Sequence, residues 1–179
     1  QMSRSQQGLA GAGEWETLRK LLPDFKDKRV LDLGCGYGWH CIYAMEHGAS
    51  SVVGVDISHK MLEVAKEKTH FPQVEYKCCA IEDVEFPEES FDVILSSLAF
   101  HYVADYEILV KKIYRILKSG GKLVFTVEHP VFTAYGTQDW HYNEKGEILH
   151  FPVDNYYYEG KRTAVFLGEK VTKFHRTLT

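Results

Sequence analysis

Short apolar runs alternate along the chain with amphipathic stretches. The apolar runs predict buried strands over 30–33, 51–55, 74–79, 91–96 and 122–127. Apolar positions at helical spacing predict helices over 14–22, 38–47, 58–68 and 105–117. Strands that alternate with helices through short connections predict an α/β fold with a doubly wound, mainly parallel sheet and helices on both faces. Such sheets bind ligands beyond the carboxyl ends of their strands.

Three details of this pattern can be checked directly. The helix over 14–22 is expected to turn one side inward, with Trp15, Leu18, Leu21 and Leu22. Ser58 is expected to cap the helix that follows it, because serine accepts hydrogen bonds from the first free N–H groups of a helix. The pair Gly120-Gly121 is expected to close the helix over 105–117 and to precede the fifth strand.

The pattern changes from residue 130 to about residue 168, where aromatic and polar residues dominate. Turn-like segments at 143–146 and 159–161 predict one or two β-hairpins inserted after the fifth strand. This segment has few aliphatic residues for a core of its own, so we expect it to lie over the ligand end of the sheet as a lid. Residues 1–13 are polar and contain glycines, so we expect a loop or a flexible arm there. The last seven residues, KFHRTLT (173–179), resemble the start of a helix.

The segment VLDLGCGYG, residues 30–38, contains the first candidate chemistry. Gly34, Gly36 and Gly38 follow the first strand, and glycine lets a chain turn sharply and bring bare backbone against a ligand. Asp56 ends the next apolar run, about 20 residues beyond Gly34, where nucleotide-binding βαβ units place the carboxylate that binds ribose hydroxyls. These residues predict a pocket for a ribose-bearing small molecule.

The spacing of the glycines limits which class of ligand the pocket can bind. A dinucleotide fingerprint is G-x-G-x-x-G, whereas this chain has D-x-G-x-G-x-G, with Asp32 two residues before Gly34. A carboxylate at that position repels a pyrophosphate and suits a cationic amino group. A nicotinamide-dependent oxidoreductase is therefore a disfavoured alternative.

The segment resembles motif I of the class I S-adenosylmethionine-dependent methyltransferases. The resemblance continues in AIEDVEFPEESFDVILSSLAFHYV (80–103) and LKSGGKLVFTVEHP (117–130), and it is closest to the small-molecule branch of the ubiquinone and biotin pathways. It covers about residues 28–130 and implies a Rossmann-like methyltransferase fold. We expect one domain over 1–179, with a nucleotide-binding core at 28–130 and a lid at 131–168. Members of this family continue through a helix and an antiparallel strand pair, so we interpret the chain as a fragment without those C-terminal strands.

The resemblance implies S-adenosyl-L-methionine as the cofactor and assigns residues to it. The glycine loop with Cys35 would pass under the cofactor, Asp32 would meet its amino group, and Asp56 would accept both ribose hydroxyls. Ile57 and Met61 would pack on the adenine, and Ser96 would offer its backbone carbonyl near the methionine moiety, beside Ser97 and Leu98. Where the family commonly has an Asp for the adenine amino group, this chain has Ala80. Backbone groups of Ala80 and Ile81, or the carboxylate of Glu82, would replace it.

The acceptor side has a less specific pattern. If the acceptor must lose a proton, a base is needed, and His101 and His129 follow the fourth and fifth strands. The alternative role for each is a structural histidine bonded to backbone. Candidates for the acceptor pocket are Tyr102, Trp140 and Tyr142, and candidates for the cofactor carboxylate are Arg4 and Ser5.

Composition limits the partners. Lys and Arg total 21 against 25 Asp and Glu, a net charge of −4, which disfavours nucleic acid as a partner. No apolar run approaches the ~18 residues of a membrane span. Four cysteines without paired C-x-x-C spacing indicate reduced thiols in a cytoplasmic protein and no metal site. We expect a monomer or homodimer acting on a small molecule.

Two further alternatives remain. A non-catalytic S-adenosylmethionine-binding module is compatible with the same motifs. A nucleic-acid or protein methyltransferase is disfavoured, because Ser96-Ser97-Leu98-Ala99 stands where amino-directed nucleic-acid enzymes of this fold carry Asn or Asp, two prolines and an aromatic. The acceptor atom, oxygen, carbon or nitrogen, stays open.

Overall fold

A five-stranded parallel sheet organises the first of two compact units. The computed structural model describes residues 8–134, 139–166 and 168–178. The first unit comprises residues up to Phe100 together with Asp105–Thr126. Its strands are β1 (Arg29–Leu33), β2 (Ser51–Asp56), β3 (Val74–Cys78), β4 (Phe91–Ser97) and β5 (Leu117–Thr126), in the order β3-β2-β1-β4-β5. Every pair is parallel, which confirms the predicted α/β sheet and places its switch point between β1 and β4.

Four α-helices accompany these strands, one before β1 and three in the connections, and they follow the predicted spacing. They are α1 (Trp15–Leu21), α2 (Trp39–Glu46), α3 (His59–Lys68) and α4 (Tyr106–Ile116). The Ser58 hydroxyl accepts a bond from the Met61 N–H at 3.4 Å, and the Asp105 carboxylate accepts one from the Ile108 N–H at 2.9 Å. Both helices therefore begin at side-chain caps, as predicted for Ser58. Short 3₁₀ helices span Gly8–Gly11, Ile81–Asp83 and Phe100–Tyr102.

The core of this unit lies on both faces of β1 and β4. Four of the five residues of β1 are buried, and residues of β2, α2 and α3 pack with them. In the register of β1 with β2, Asp32 pairs with Gly54. A Cβ at Gly54 would lie 2.8 Å from the Tyr76 ring and 2.9 Å from the Cys41 sulfur. Glycine at this position therefore makes room for the phenol and the thiol.

Two sequence expectations in this unit are wrong. The strand β5 begins at Leu117, so Gly120 and Gly121 lie within a strand instead of closing a helix. The pairing of Leu117 with Phe91 explains the early start, and a register shift after Phe91 absorbs the irregular glycine segment. Leu21 is 63% exposed, because at 100° per residue it lies at the edge of the stripe that Trp15 and Leu18 bury.

The second unit comprises His101–Ala104 and the residues from Val127 onward. It contains α5 (Pro130–Ala134), the hairpin of β6 (His141–Tyr142) with β7 (Ile148–His150), and the hairpin of β8 (Gly160–Phe166) with β9 (Glu169–His175). The predicted hairpins are thus confirmed. The turn expected at 159–161 is wrong, since Gly160 begins β8.

The helix expected from the closing KFHRTLT is also wrong through His175. In β9 the buried positions alternate, with Lys173 and His175 buried and Phe174 half-buried between them. Thr172 pairs with Thr163 on β8. Cross-strand pairing between β-branched side chains decides the local structure here.

The interior of the second unit is notably polar. Its buried residues, among those the structure describes, are His101, Val103, Pro130, Thr133, Ala134, Ala164, Lys173 and His175. The His175 ring bonds the Tyr156 carbonyl through Nε2 at 2.7 Å and the Thr133 hydroxyl through Nδ1 at 2.8 Å. One imidazole therefore joins α5, β9 and the segment before β8. The organisation of 1–179 as one domain, with a lid at 131–168, stays a prediction.

Candidate functional site

The glycine loop between β1 and α2 forms the centre of the candidate site. Gly34, Gly36 and Gly38 all have positive φ, at +79°, +53° and +75°. The N–H groups of Gly34 and Cys35 donate to the Val55 carbonyl at 2.8 and 2.9 Å. A Cβ at Gly34 would lie 2.4 Å from the Ala99 Cβ, so only glycine lets the loop approach the segment after β4. The loop thus presents bare backbone at the carboxyl edge of the sheet.

Asp56, the last residue of β2, holds this loop in place. Its Oδ2 accepts a bond from the Gly36 N–H, and its Oδ1 accepts one from the Ser58 N–H, each at 2.8 Å. A carboxylate has about four lone-pair directions, so each oxygen can accept a further donor. The arrangement accommodates the predicted ribose contact and also orders the loop and the start of α3.

Asp32 is a buried carboxylate with one unpaired oxygen. Its Oδ2 accepts a bond from the Cys41 thiol at 3.5 Å, and the His40 Nδ1 lies 4.0 Å from the same atom. Its Oδ1 is buried and has no hydrogen-bond partner among the described residues. Burial raises the pKa of Asp32 to about 7, with the Cys41 bond opposing and the Asp56 charge adding to the effect. A donor group, above all a cationic one, would satisfy this oxygen.

Met61, predicted to pack on the adenine, and Ile81, whose backbone is predicted to meet the adenine amino group, both lie beside the glycine loop. The Met61 sulfur is 3.8 Å from the point where a Gly36 Cβ would stand, and the Ile81 Cδ1 is 3.6 Å from the corresponding point at Gly34. Ile57, the residue after Asp56, is 74% exposed. The structure therefore brings Met61 and Ile81 to the glycine loop.

The remaining cofactor candidates have clear local roles. Ala80 precedes the 3₁₀ helix Ile81–Asp83, and Glu82 is exposed. The buried Ser96 hydroxyl donates to the Leu33 carbonyl at 2.8 Å and so ties β4 to β1. Their contacts with a cofactor stay predictions.

In the second unit, His101 belongs to a cluster with Tyr102, Glu128 and Lys173. The Lys173 ammonium, 4% exposed, binds both carboxylate oxygens of Glu128 at 2.6 and 2.8 Å. The His101 Nε2 is 4.0 Å from a Glu128 oxygen, and the Lys173 Nζ lies 5.8 Å from the Tyr102 ring centre. Glu128 and Lys173 were missed at the sequence level, because nothing local signals a pair 45 residues apart.

The electrostatics of this cluster keep His101 neutral. Burial lowers the pKa of His101 to about 4, with Glu128 opposing and Lys173 adding to the shift. Burial, assisted by the Glu128 charge, raises the pKa of Tyr102 to about 12. The His101 Nδ1 accepts the Glu128 N–H at 3.4 Å, so we assign the proton of the neutral ring to Nε2.

The other acceptor-side candidates are exposed. The His129 Nδ1 accepts the Val131 N–H at 3.2 Å, which again assigns the ring proton to Nε2. Trp140 and Tyr142 are 44% and 50% exposed, and Trp140 meets the Phe151 ring edge-on at 5.3 Å. The roles of both histidines and of these aromatics stay predictions. Arg4 and Ser5 lie outside the described residues.

Neither a metal-binding cluster nor a membrane-spanning helix is found in the described part of the chain. In 8–134, 139–166 and 168–178, no group of three or more His, Cys, Asp and Glu is arranged to hold a metal ion. Within these ranges, every helix is too short or too polar to cross a bilayer.

Comparisons with known proteins identify the family. The model of a family described as "Methyltransferase domain" matches residues 31–125. A crystal structure of a putative S-adenosylmethionine dependent methyltransferase from Listeria monocytogenes is 57% identical, with a TM-score of 0.87 over 94% of this chain and 79% of that one. An S-adenosylmethionine dependent methyltransferase from Mesorhizobium loti is 41% identical, with a TM-score of 0.85 over 96% of this chain and 78% of that one.

A curated relative adds to the comparison. A ubiquinone biosynthesis O-methyltransferase of Coxiella burnetii is 36% identical over 112 residues, 62% of this chain. The chain spans about half the length of that relative, 47%. The matched family region includes Asp32, the glycine loop and Asp56 and covers more than half of the sequence. The chain therefore belongs to the methyltransferase domain family, as the resemblance of its motifs implies.

Proposed function

We propose that this protein is an S-adenosylmethionine-dependent methyltransferase that acts on a small-molecule acceptor. The observation that carries the proposal is the buried Asp32, whose Oδ1 lacks a partner among the described residues beside a glycine loop and Asp56. The likeness to S-adenosylmethionine dependent methyltransferases at 57% and 41% identity supports the same cofactor. When bound, S-adenosylmethionine supplies a methyl group that its sulfonium already activates.

The residues present fit this cofactor. Asp32 pairs a carboxylate with the ammonium group of the methionine moiety, which suits a buried anion better than any neutral donor. Asp56 offers two oxygens to two adjacent hydroxyls. The loop Gly34–Gly38 lets the ligand approach the backbone, because three of its five residues carry no side chain. The remaining contacts we assign to Cys35, Ile57, Met61, Ala80, Ile81, Glu82 and the Ser96 carbonyl.

The acceptor half of the reaction belongs to the residues after β4 and β5. Transfer from a sulfonium is an in-line displacement, so positioning and exclusion of water supply much of the acceleration. We assign His101 and His129 to the acceptor. Each uses Nδ1 as an acceptor for a backbone N–H, so each imidazole, as bonded here, presents a donor at Nε2. Proton removal by either ring requires it to release that backbone bond and accept the proton at Nδ1.

Binding tests the cofactor half of the proposal. Isothermal titration calorimetry at pH 8 should give one site each for S-adenosylmethionine and S-adenosylhomocysteine and weaker binding of NAD. Asp56→Ala should weaken both cofactor affinities by about 1.5–3 kcal/mol, the scale of hydrogen bonds to a charged group. Asp92→Ala is the matched control, because Asp92 bonds the Arg29 N–H and Lys118 at the opposite end of β4. Tighter binding of NAD than of S-adenosylmethionine would refute the assignment.

Product detection tests the acceptor half. The protein is incubated with a small-molecule extract and S-adenosylmethionine that carries a deuterated methyl group, and products are identified by their mass shift. We expect a methylated small molecule that Asp56→Ala forms much more slowly. Transfer to protein or nucleic acid instead of any small molecule would contradict the proposed acceptor class.

A further inference from the structure

We propose that Cys41 is a positioning residue for the cofactor. Its thiol fixes one oxygen of Asp32 so that the other oxygen is presented to the ammonium group, and its weak hydrogen bond leaves the carboxylate charge for the ligand to balance. The inference rests on the proposed function, because it concerns the same cofactor site.

The contacts of Asp32 are one-sided. The Cys41 thiol donates to Oδ2 at 3.5 Å, and the His40 Nδ1 lies 4.0 Å from the same oxygen; both residues belong to the first turn of α2. Oδ1 has no partner within the described chain. A carboxylate held at one oxygen cannot rotate freely, so its second oxygen keeps one orientation. Asp32 is thereby pre-organised for one further donor.

The position of the thiol is built into the sheet. Cys41 is fully buried, and β2 carries Gly54 opposite Asp32 in the register. A Cβ at Gly54 would come within 2.9 Å of the Cys41 sulfur. The strand therefore leaves room for the side chain that holds Asp32, and a larger residue at position 54 would displace it.

A thiol suits this task because it is a weak donor. The pKa of the Cys41 thiol lies well above its usual value, because the interaction with the neighbouring Cys35 and burial both disfavour the thiolate, so Cys41 stays protonated. A hydroxyl would donate a shorter, stronger bond to a carboxylate and would stabilise the charge without any ligand. With the weak thiol bond, the neutral and the charged forms of Asp32 are both populated near neutral pH.

The other ionisable groups around Asp32 do not replace this bond. The His40 Nδ1 lies 4.0 Å from Oδ2, which is beyond hydrogen-bond distance. Cys35 of the glycine loop, Asp56 at the end of β2 and the Tyr76 phenol of β3 are the other ionisable groups near Asp32. Asp56 and the buried Cys35 thiol add no positive charge. An ammonium ligand favours the ionised form of Asp32, so its binding below about pH 7 releases a proton.

Calorimetry tests the proposal with a chemically stable ligand. S-adenosylhomocysteine is titrated into wild type, Cys41→Ala and Cys41→Ser from pH 6 to 9, in two buffers that differ in ionisation enthalpy. Each series gives the affinity, the pH at which it levels off, and the number of protons released. We expect Cys41→Ala to raise that pH and to weaken binding about 5-fold at pH 7, with less loss at pH 9. Cys41→Ser should lower the pH at which the affinity levels off.

The controls separate a positioning role from general damage. Ile113→Val removes one methyl group from a buried side chain of α4 and should leave the pH dependence unchanged. If Cys41→Ala does not fold, the test rests on Cys41→Ser alone. The inference is then overturned if the affinity of Cys41→Ser levels off at the same pH as that of wild type or at a higher pH. Equal levelling pH values for wild type and both Cys41 variants overturn it as well. Failure of wild type to bind at every pH would refute the proposed function instead.

Discussion

Replacing Asp32 by asparagine should make the unliganded protein more stable at alkaline pH while it impairs cofactor binding. The pKa of Asp32 is about 7 in the folded protein against 3.8 for an exposed carboxyl. Because the pKa is raised in the folded protein, folding favours the neutral carboxyl. The free energy of unfolding of wild type therefore falls as pH rises from about 4 through about 7, where the carboxyl ionises. Asparagine does not titrate, so its stability should not fall in this window.

The size of the effect follows from the shift. A difference of about 3 pKa units at 1.36 kcal/mol each corresponds to roughly 4 kcal/mol of stability lost by wild type between pH 4 and pH 8. Asparagine brings its own cost, about 1–3 kcal/mol for a buried amide with incomplete hydrogen bonding. That cost is the same at every pH. The difference between variant and wild type should therefore increase by about 4 kcal/mol across the window.

Urea unfolding followed by tryptophan fluorescence at pH 4, 5, 6.5 and 8 measures this difference. Asp92→Asn is the matched control, because the pKa of Asp92 is lowered by bonds from the Arg29 N–H and the Lys118 ammonium, which outweigh its partial burial. Asp92→Asn should destabilise the protein at neutral pH, and the loss should shrink as pH falls.

Cofactor affinity gives the second half of the measurement. Asp32→Asn should weaken S-adenosylhomocysteine binding by about 1.5–3 kcal/mol, because the ammonium group loses a charged partner. A variant that is destabilised equally at all four pH values and binds the ligand with wild-type affinity would refute the role given to Asp32.

Three further predictions concern other parts of the molecule. Gly34→Ala should lose about 1–2 kcal/mol of unfolding free energy from the positive φ alone, and more from the clash with Ala99. Adding Ala99→Gly to this variant should restore the part of the loss that comes from the clash, as measured by urea titration. Lys173→Met should cost about 3–5 kcal/mol of unfolding free energy, because it leaves Glu128 without its buried cation, and a double variant with Glu128→Gln should recover most of it. If His101 is the base, His101→Ala should lower kcat by about 10²–10⁴-fold at unchanged cofactor affinity. Wild-type kcat should then fall only as pH drops toward about 4; full activity of the variant would exclude the role.

Local patterns were sufficient to predict most of the first unit. The strands β1 to β4, the Ser58 cap and the three positive-φ glycines depend on residues close together in the chain, so periodicity and residue type identify them. The register shift after Phe91, by contrast, depends on how β5 pairs with β4. No local pattern encodes that pairing, so the start of β5 was predicted five residues late.

The candidate site also contains features that the sequence predicts and features that it does not. Asp32 and Asp56 carry a recognisable spacing, and the sequence predicts both. The thiol of Cys41 on Asp32 and the pairing of Lys173 with Glu128 arise only from packing between elements. Position 173 illustrates the limit, because pairing with β8 overrides a segment whose start resembles a helix.

The polar interior of the second unit has a thermal consequence. Among its described residues, the buried set contains His101, Lys173, His175 and Thr133 but no leucine, isoleucine, methionine or phenylalanine. The heat-capacity change of unfolding comes mainly from exposure of apolar surface, and exposure of polar surface reduces it. Unfolding of this unit should therefore show a small heat-capacity increment for its size. Its stability curve should be flat, and cooling should weaken it less than it weakens the aliphatic core around β1 and β4.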